Sequence, residues 1–287
     1  MNTSATPSDG TRLSTAPTLA CERLVPLQEP ARGVLIVNAD DWGRDTENTD
    51  RTIECIDEGA VSSVSAMVYM EDSERAAAIA REQGIDAGLH LNLTTPFTVK
   101  RVSPSLEVHQ QRLTRCLRRH RFAQALFHPR LSGSFEYVVA TQLDEFHRLY
   151  GVAPDRIDGH HHMHLCANVL LGNLLPAGTI VRRNFSFRAG EKNSANLIYR
   201  EIVDRILARR HHLVDLFFSL VPLEPSERLT RIVSAARESV VELETHPVKP
   251  EEHRFLAGGT IFRYLQGLSI ASGFSRSKCD LSATRAQ

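Results

Sequence analysis

No stretch of this chain approaches the roughly 18 consecutive apolar residues that a membrane-spanning helix requires, so no membrane span is expected. An excess of either charge is also missing. Lys and Arg total 34, and Asp and Glu total 34, whereas a nucleic-acid-binding chain usually carries a strong basic surplus; no nucleic-acid partner is expected. The five cysteines, Cys21, Cys55, Cys116, Cys166 and Cys279, are odd in number, widely spaced and include no CxxC pair. They resemble neither a disulfide framework nor a zinc finger, and read as incidental thiols in a reducing cytoplasm. The opening MNTSATPSDGTRLSTAPT has no apolar core of the kind a secretory signal carries. There is no glycine-rich phosphate cradle, and no serine or cysteine occupies a recognisable nucleophile elbow. Nothing here fixes the oligomeric state, and a homo-oligomer stays open.

What is present is the material of one α/β domain. At 287 residues and 42% hydrophobic, the chain can bury a sizeable core. Residues 1–30 are rich in Ser, Thr and Pro and read as a flexible leader, 31–262 as a single domain, and 263–287 as a loose tail. Within the domain, short apolar runs alternate with stretches of helical period. Val34 to Val37 is an uninterrupted apolar run, the mark of a buried parallel strand. Further strands are expected at 63–68, 87–93, from 156, and at 179–182, 214–218 and 239–243. Helices are expected at 46–58, 71–83, 135–150, 193–210 and 226–237. Such alternation predicts a parallel sheet with helical cover, and about seven strands favour a TIM-barrel-like α/β barrel. Segment 95–132 interrupts the rhythm. It is basic, with Arg112, Arg115, Arg118, Arg119 and Arg121, and reads as a helical insertion or lid whose arginines face solvent.

Four expected strands run into polar clusters: Asn38-Ala-Asp-Asp-Trp-Gly43, Gly88-Leu-His-Leu-Asn-Leu-Thr94, Asp158-Gly-His-His-His-Met-His164 and Glu242-Leu-Glu-Thr-His-Pro247. In parallel α/β folds the carboxyl ends of the strands share one rim, where catalytic groups gather. A strand-end aspartate taken alone is often a helix cap, and His90 alone reads as a satisfied buried histidine. The adjacent pair Asp40 and Asp41 is different, because two carboxylates repel unless a cation or proton separates them. His160, His161, His162 and His164 put four imidazoles within five residues. In a strand, alternation would set His160, His162 and His164 on one face and His161 on the other. A metal needs only one or two of them; the others can steady its ligands through hydrogen bonds.

Imidazole nitrogen with carboxylate oxygen suits a divalent metal, and two histidines with one aspartate leave positions open for water and substrate. Such a metal acidifies water and polarises a carbonyl. A free carboxylate can then accept the water's proton, and a histidine opposite can donate one to a departing nitrogen. This is equipment for hydrolysing an amide. Two other readings stay open at this point: a metal-dependent phosphoesterase, and a non-catalytic metal-binding protein that uses the histidine run alone.

The four motifs, in order over about residues 33–256 with the last as Glu242-Leu-x-x-His-Pro247, resemble the YdjC-like carbohydrate deacetylases. That group includes chitooligosaccharide deacetylases and deacetylases of hopanoid biosynthesis. The resemblance implies a TIM-barrel-like fold and removal of N-acetyl groups from amino sugars or N-acetylated glycans, dependent on one divalent metal ion, Mg2+ or Zn2+. By motif position it implies Asp41, His90 and His160 as metal ligands, Asp40 as general base and His246 as catalytic acid. Arg182, four residues after Gly178, matches an arginine that orients Asp40 or the acyl group. His161, His162 and His164 then serve as hydrogen-bonding support. Segment 95–132 and the ending from Lys249 match the chitooligosaccharide enzymes poorly, so free, polymeric and lipid-linked sugars all stay open as substrates.

Overall fold

The computed structural model describes residues 33–119, 122–188 and 190–274. The expected leader with Cys21, the position of Arg121, and the stretch from 275 with Cys279 lie outside the described residues. The described residues form seven strands: β1 (Val34–Trp42), β2 (Ser63–Ala66), β3 (Asp86–Leu91), β4 (Arg156–Gly159), β5 (Ile180–Val181), β6 (Leu216–Ser219) and β7 (Val240–Thr245). Every ladder is parallel. Hydrogen-bonded neighbours run β5-β4-β3-β2-β1-β7-β6, which is chain order around a ring. At the β5–β6 seam the ring is stitched by single bonds: His212 N–H donates to Thr179 O (3.0 Å), Val181 N–H to His212 O (2.9 Å) and Ser186 N–H to Phe217 O (2.8 Å). The sheet is the expected α/β barrel of seven strands.

Helices cover its outside. α1 (Thr46–Asp57) follows β1, α2 (Ser73–Gln83) follows β2, and α3 (Pro104–Leu117) with α4 (Ser132–Tyr150) follow β3. α5 (Ala167–Leu171), α6 (Ser194–Ala208) and α7 (Glu227–Ala235) come after β4, β5 and β6, and α8 (Pro250–Ala257) and α9 (Phe262–Leu265) after β7. The starts and stops are written locally. Asp45 caps α1 by accepting from Asn48 N–H, and left-handed Gly84 and Gly151 close α2 and α4. The insertion is helical: Ser103 caps α3, which turns Leu106, Leu113 and Leu117 into the core.

The strands are apolar outside and largely polar inside. On β1, Leu35, Val37 and Ala39 join the main hydrophobic cluster beneath the helices, together with Val64 of β2, Leu89 and Leu91 of β3, Ile157 of β4, and Val241 and Leu243 of β7. With a side-chain period of two, the opposite phase carries Asn38 and Asp40, Ser63 and Ser65, Gly88 and His90, Arg156 and Asp158, and Glu242 and Glu244 into the barrel, all but the glycine buried and polar. One end of the barrel is sealed by a second cluster of Ile36, Ile180, Val214, Phe217, Val240 and Phe274. Part of the segment read from the sequence as a loose tail supplies that seal. Ala271 N–H bonds Leu35 O at 2.8 Å, Phe274 N–H bonds the Asp86 carboxylate at 2.6 Å, and the Phe274 ring is buried. Apolar side chains there find cover that a polarity count along the sequence does not reveal.

Candidate active site

The carboxylate pair departs from strand alternation at the residue where the chemistry requires it. Asp40 is in the inward phase, and Asp41 would face outward with Ala39 if β1 stayed regular. Instead the β1–β2 register shifts between Ala39 and Trp42, and Asp41 adopts φ +64°. A non-glycine residue in this left-handed region costs of order 1–3 kcal/mol. The kink turns the Asp41 carboxylate onto the same buried rim as Asp40 and sends Trp42 into the outer core. Asp41 then meets His160 Nδ1 at 2.9 Å, His90 Nε2 at 3.4 Å and Arg44 Nη1 at 2.9 Å. Burial opposes its charge, but the hydrogen-bonding histidines outweigh burial and hold the carboxyl well below its usual range.

His90 is aimed from behind. Its Nδ1 lies 2.6 Å from Asp158 Oδ1, which leaves Nε2 facing the aspartate pair. Burial works against charge on this imidazole, yet Asp40 and Asp158 outweigh it and push it up to about 10; the locus attracts positive charge. Asp158 is itself held by the Ser65 hydroxyl, by Arg156 and by Arg182. Gly88 is required for this packing, because a Cβ there would stand 2.7 Å from the Arg156 guanidinium carbon.

Arg182 is fully buried and organises the centre. Its two terminal nitrogens donate to the two oxygens of Asp40 at 2.7 Å each, and its Nε donates to Glu242 at 2.7 Å. Asn38 adds a bond to Asp40 at 2.8 Å. Burial alone would raise the Asp40 carboxyl; the Arg182 guanidinium overcomes that and lowers it. The sequence reading allowed Arg182 to orient either Asp40 or an acyl group, and the arginine is found on Asp40.

The histidine run is not a strand. β4 ends at Gly159, and His160 to Leu165 form a tight 3-10 segment in which His161 and His162 both take left-handed φ near +56°, at 55° and 57°. The expected alternation therefore fails: each imidazole is aimed separately. His160 goes to Asp41, His161 Nδ1 to the Thr94 hydroxyl at 2.9 Å, and His164 Nε2 donates to the Arg182 carbonyl at 2.9 Å. His162 packs edge-on against Phe185. Burial pushes His161 and His164 down to about 4 and His162 to about 3, so all three favour the neutral ring. Gly159 has to be glycine because His164 folds back over it, with backbone and ring atoms 2.9 Å from where a Cβ would be.

The last strand brings three groups. Glu242 meets Arg182; Glu244 points into the rim, its carboxyl raised by burial and by Asp40; His246 follows, with Nε2 3.5 Å from Glu244. The His246 backbone N–H donates to buried Glu252 at 2.7 Å, which anchors the turn. Asp40, Glu244 and His246 present donor atoms within 4.8 Å of one another, so the ends of β1, β3, β4 and β7 converge in one place. Asp158, Glu242, Glu244 and Arg156 had received no role from the sequence. Their one available signal was charge in the inward phase of a buried strand, at i and i+2.

The donor set fits a cation. Asp41 Oδ1, His90 Nε2 and His160 Nδ1 lie within 4.8 Å of one another. Two ligand atoms about 2.1 Å from a shared ion stand roughly 3.0–3.4 Å apart, close to the 2.9 and 3.4 Å found between Asp41 and the two histidines. Asp41 Oδ1 is buried and faces both His160 Nδ1 and His90 Nε2, so one carboxylate oxygen and two ring nitrogens crowd a single point, an arrangement that a shared cation satisfies. Asp40, Asp41 and Asp158 keep lowered carboxyls beside the two buried guanidiniums of Arg156 and Arg182, and the raised His90 between them marks a place where further positive charge is favoured.

Known proteins agree with this architecture. A crystal structure from Enterococcus faecalis V583, described as a candidate cellobiose-phosphate cleavage protein, superposes with a TM-score of 0.59 over 83% of this chain and 97% of its own, at 19% identity; this likeness bears on the fold. The chitooligosaccharide deacetylase of Serratia marcescens is 35% identical over 133 residues, 46% of this chain and 51% of that protein. The carbohydrate deacetylase of Mus musculus is 33% identical over 137 residues, 47% of this chain and 44% of its own length. The chain thus spans about half the length of the curated relatives it matches. The family model described as YdjC-like protein matches residues 34–267, across all four motifs and all seven strands, and the chain belongs to the YdjC-like family.

Proposed function

We propose that this protein is a metal-dependent hydrolase that removes N-acetyl groups from amino sugars or N-acetylated glycans. The observation that carries the reading is the convergence of an Asp41–His90–His160 donor face with an arginine-clamped Asp40 and with His246 on one buried rim. Relatives named for carbohydrate deacetylation support the substrate class. Asp41, His90 and His160 are the residues to hold the ion, either Mg2+ or Zn2+. When bound, a divalent ion supplies acidity to the attacking water and polarisation to the acyl carbonyl, help that a base as stabilised as Asp40 needs.

The chain's own residues do the rest. Arg182 keeps Asp40 ionised and fixes its plane, so one carboxylate oxygen accepts the water's proton. Asp158 fixes the His90 ring so that Nε2 stays toward the rim. His246 stands where a proton can pass to the nitrogen as the C–N bond breaks. Arg182 has no exposed edge for substrate and acts by positioning. No helix among the described residues is long and apolar enough to cross a membrane, and the free thiols Cys55, Cys116 and Cys166 suit a cytoplasmic setting.

The test is acetate release from a panel of N-acetylated mono- and oligosaccharides, with metal-stripped protein as control and phosphate release from model esters in parallel. Acetate from at least one glycan, lost on chelation and restored by Mg2+ or Zn2+, is expected. Phosphate release without acetate would replace this reading with the phosphoesterase. His160→Ala is expected to lose bound metal and activity together; full metal occupancy by elemental analysis would remove His160 from the ligand set.

A further inference from the structure

A cavity of about 190 Å³ opens beside the histidine turn that follows β4. Its walls come from that turn, from the 3-10 turn Ala123–Ala125 of the insertion, from the chain leaving β5 and from α6. His161 lines it, with its ring centre 4.0 Å from that of His160, so the cavity begins one side chain away from the reacting centre. The chain leaving β5 ties the two places together as well. It gives Arg182 to Asp40, then Asn184 and Phe185 to the cavity. Sites that enclose drug-sized molecules run to roughly 300–1,000 Å³; this one is the size for a single sugar ring.

The lining is already set, and part of it is unspent. Phe185 is stacked on Phe217, with ring centres 4.5 Å apart. Tyr199 offers a second aromatic wall, 38% exposed and with no ring partner among the described residues. Arg200 is held in place without being paired. Its Nε donates to Asn196 at 2.7 Å, its Nη1 reaches Asn184 at 3.5 Å, and its guanidinium carbon lies 4.9 Å from the centre of the Phe187 ring. Asn184 is fixed in turn by two bonds to Asp204, at 3.0 and 2.8 Å, while Asp204 is paired with Arg183. Among the described residues Arg200 makes no ion pair, its Nη2 makes no hydrogen bond, and the side-chain amide of Gln124 makes none either.

A pyranose ring is complementary to such a lining. Its C–H faces are apolar and pack on aromatic rings, while its hydroxyls both donate and accept. A guanidinium donates to them, and a glutamine amide does both. Walls that are fixed beforehand also spare the cost of ordering them on binding. We infer that this cavity is a subsite for the sugar unit next to the one that loses its acetyl group, with Phe185 and Tyr199 as apolar walls and Arg200 and Gln124 as hydrogen-bonding partners. The inference rests on the deacetylase reading above and names its substrate class: N-acetylated oligosaccharides in preference to monosaccharides. An acyl group over the Asp41–His90–His160 face leaves the neighbouring ring to extend past His161 toward α6.

The test compares N-acetylglucosamine with its β-1,4-linked dimer on the full-length, Zn2+-loaded protein. Acetate release gives the ratio of kcat/KM, dimer over monomer. Calorimetric binding to the Asp40→Asn protein gives the same ratio for affinity without turnover. Both ratios should favour the dimer by about tenfold or more. Arg200→Gln should cut them about tenfold, the worth of hydrogen bonds to a charged group, and Tyr199→Ala about threefold to tenfold. Both residues lie on the partly exposed face of α6, where Gln and Ala keep the helix. Arg205→Gln removes a charge from the same helix outside the cavity and should leave both ratios within about twofold. A dimer bound no better than the monomer, a preference that survives Arg200→Gln and Tyr199→Ala, or an equal loss in Arg205→Gln overturns the subsite. A wild-type protein that releases no acetate, with a dimer preference in binding that still falls in Arg200→Gln and Tyr199→Ala, would instead overturn the deacetylase reading.

Discussion

Arg182 lies inside the barrel with Asp40, Asp158 and Glu242 around its guanidinium, whereas Arg112, Arg115, Arg118 and Arg119 stand exposed on and just beyond α3 with no ion pair among the described residues. Residue type and charge are the same in the two places. What differs is confinement. Inside, low dielectric and fixed geometry make a guanidinium part of the architecture, since its fork matches a carboxylate face and its loss leaves buried anions uncompensated. On the insertion, water screens each charge, and long side chains gain little by holding one geometry. The barrel interior spends arginine on positioning; the insertion uses it for solvation.

The largest effect expected from this contrast is at Arg182. Arg182→Met should destabilise the fold by about 3–5 kcal/mol, the cost of breaking a buried pair from one side, read as a shift in the denaturant midpoint. Arg182→Lys keeps the charge without the fork and should fall between. A loss under about 1 kcal/mol for Arg182→Met would mean that the interior arginine behaves like a surface one. Next comes the carboxylate pair. Asp40→Asn should leave bound metal nearly intact while turnover falls by about 10² to 10⁴; Asp41→Asn should lose metal affinity first and regain activity at high metal concentration. If added metal rescues Asp40→Asn and not Asp41→Asn, the two roles are reversed.

A smaller and pH-dependent effect separates the interior acids from one another. Asp40, Asp41 and Asp158 are all lowered against the pull of burial, Asp40 and Asp158 chiefly by Arg182, Asp41 by His160 and His90. Their contribution to stability is fully present above the unfolded carboxylate value of about 4, and is lost as pH falls through the lower folded values. Glu242 and Glu244 are raised by burial and have the opposite sign. The fold gains from them when they are protonated, and that gain is lost as pH rises through their raised values. In chelated protein, Glu244→Gln should therefore unfold at the same temperature as wild type near pH 4 and at a progressively higher one toward pH 8. A constant gap across that range would show that Glu244 is not raised.

Much of this architecture is legible in the sequence. Val34 to Val37 marks β1, the helix expected at 46–58 is Thr46–Asp57, and that at 193–210 is Ser194–Ala208, because apolar period and caps act locally. The convergence of the four motifs is legible too, since parallel strands must end on one rim. Three things were not. The left-handed turn at His161 and His162 is imposed by the contacts of His160 and His164, which no local propensity reports. The inward phase of β7 reads like any other strand until it is known that this barrel is polar inside, so Glu244 stayed silent. Phe274 carries no periodic signal; its role depends on Asp86 and Arg156, far away in the chain.

The smallest expected effect lies on the insertion. Arg112 and Arg119 are exposed, and surface substitutions of this kind usually stay within about 0.5 kcal/mol. The double variant Arg112→Gln, Arg119→Gln should therefore keep the wild-type midpoint. It should also keep KM for short glycans within about twofold, since neither residue touches the rim and exposed charges act weakly beyond a Debye length. Arg115 supplies the contrast, because with Lys100, Arg101 and Gln110 it lines a cavity of about 660 Å³ between the chain after β3 and α3. If that cavity took part in holding longer substrates, Arg115→Gln would raise KM for an oligosaccharide and leave the monosaccharide unchanged, with the difference shrinking as salt is added. The solvated-face reading expects no such split. Steady-state acetate release at low and high ionic strength, for one short and one long glycan on each variant, decides between them.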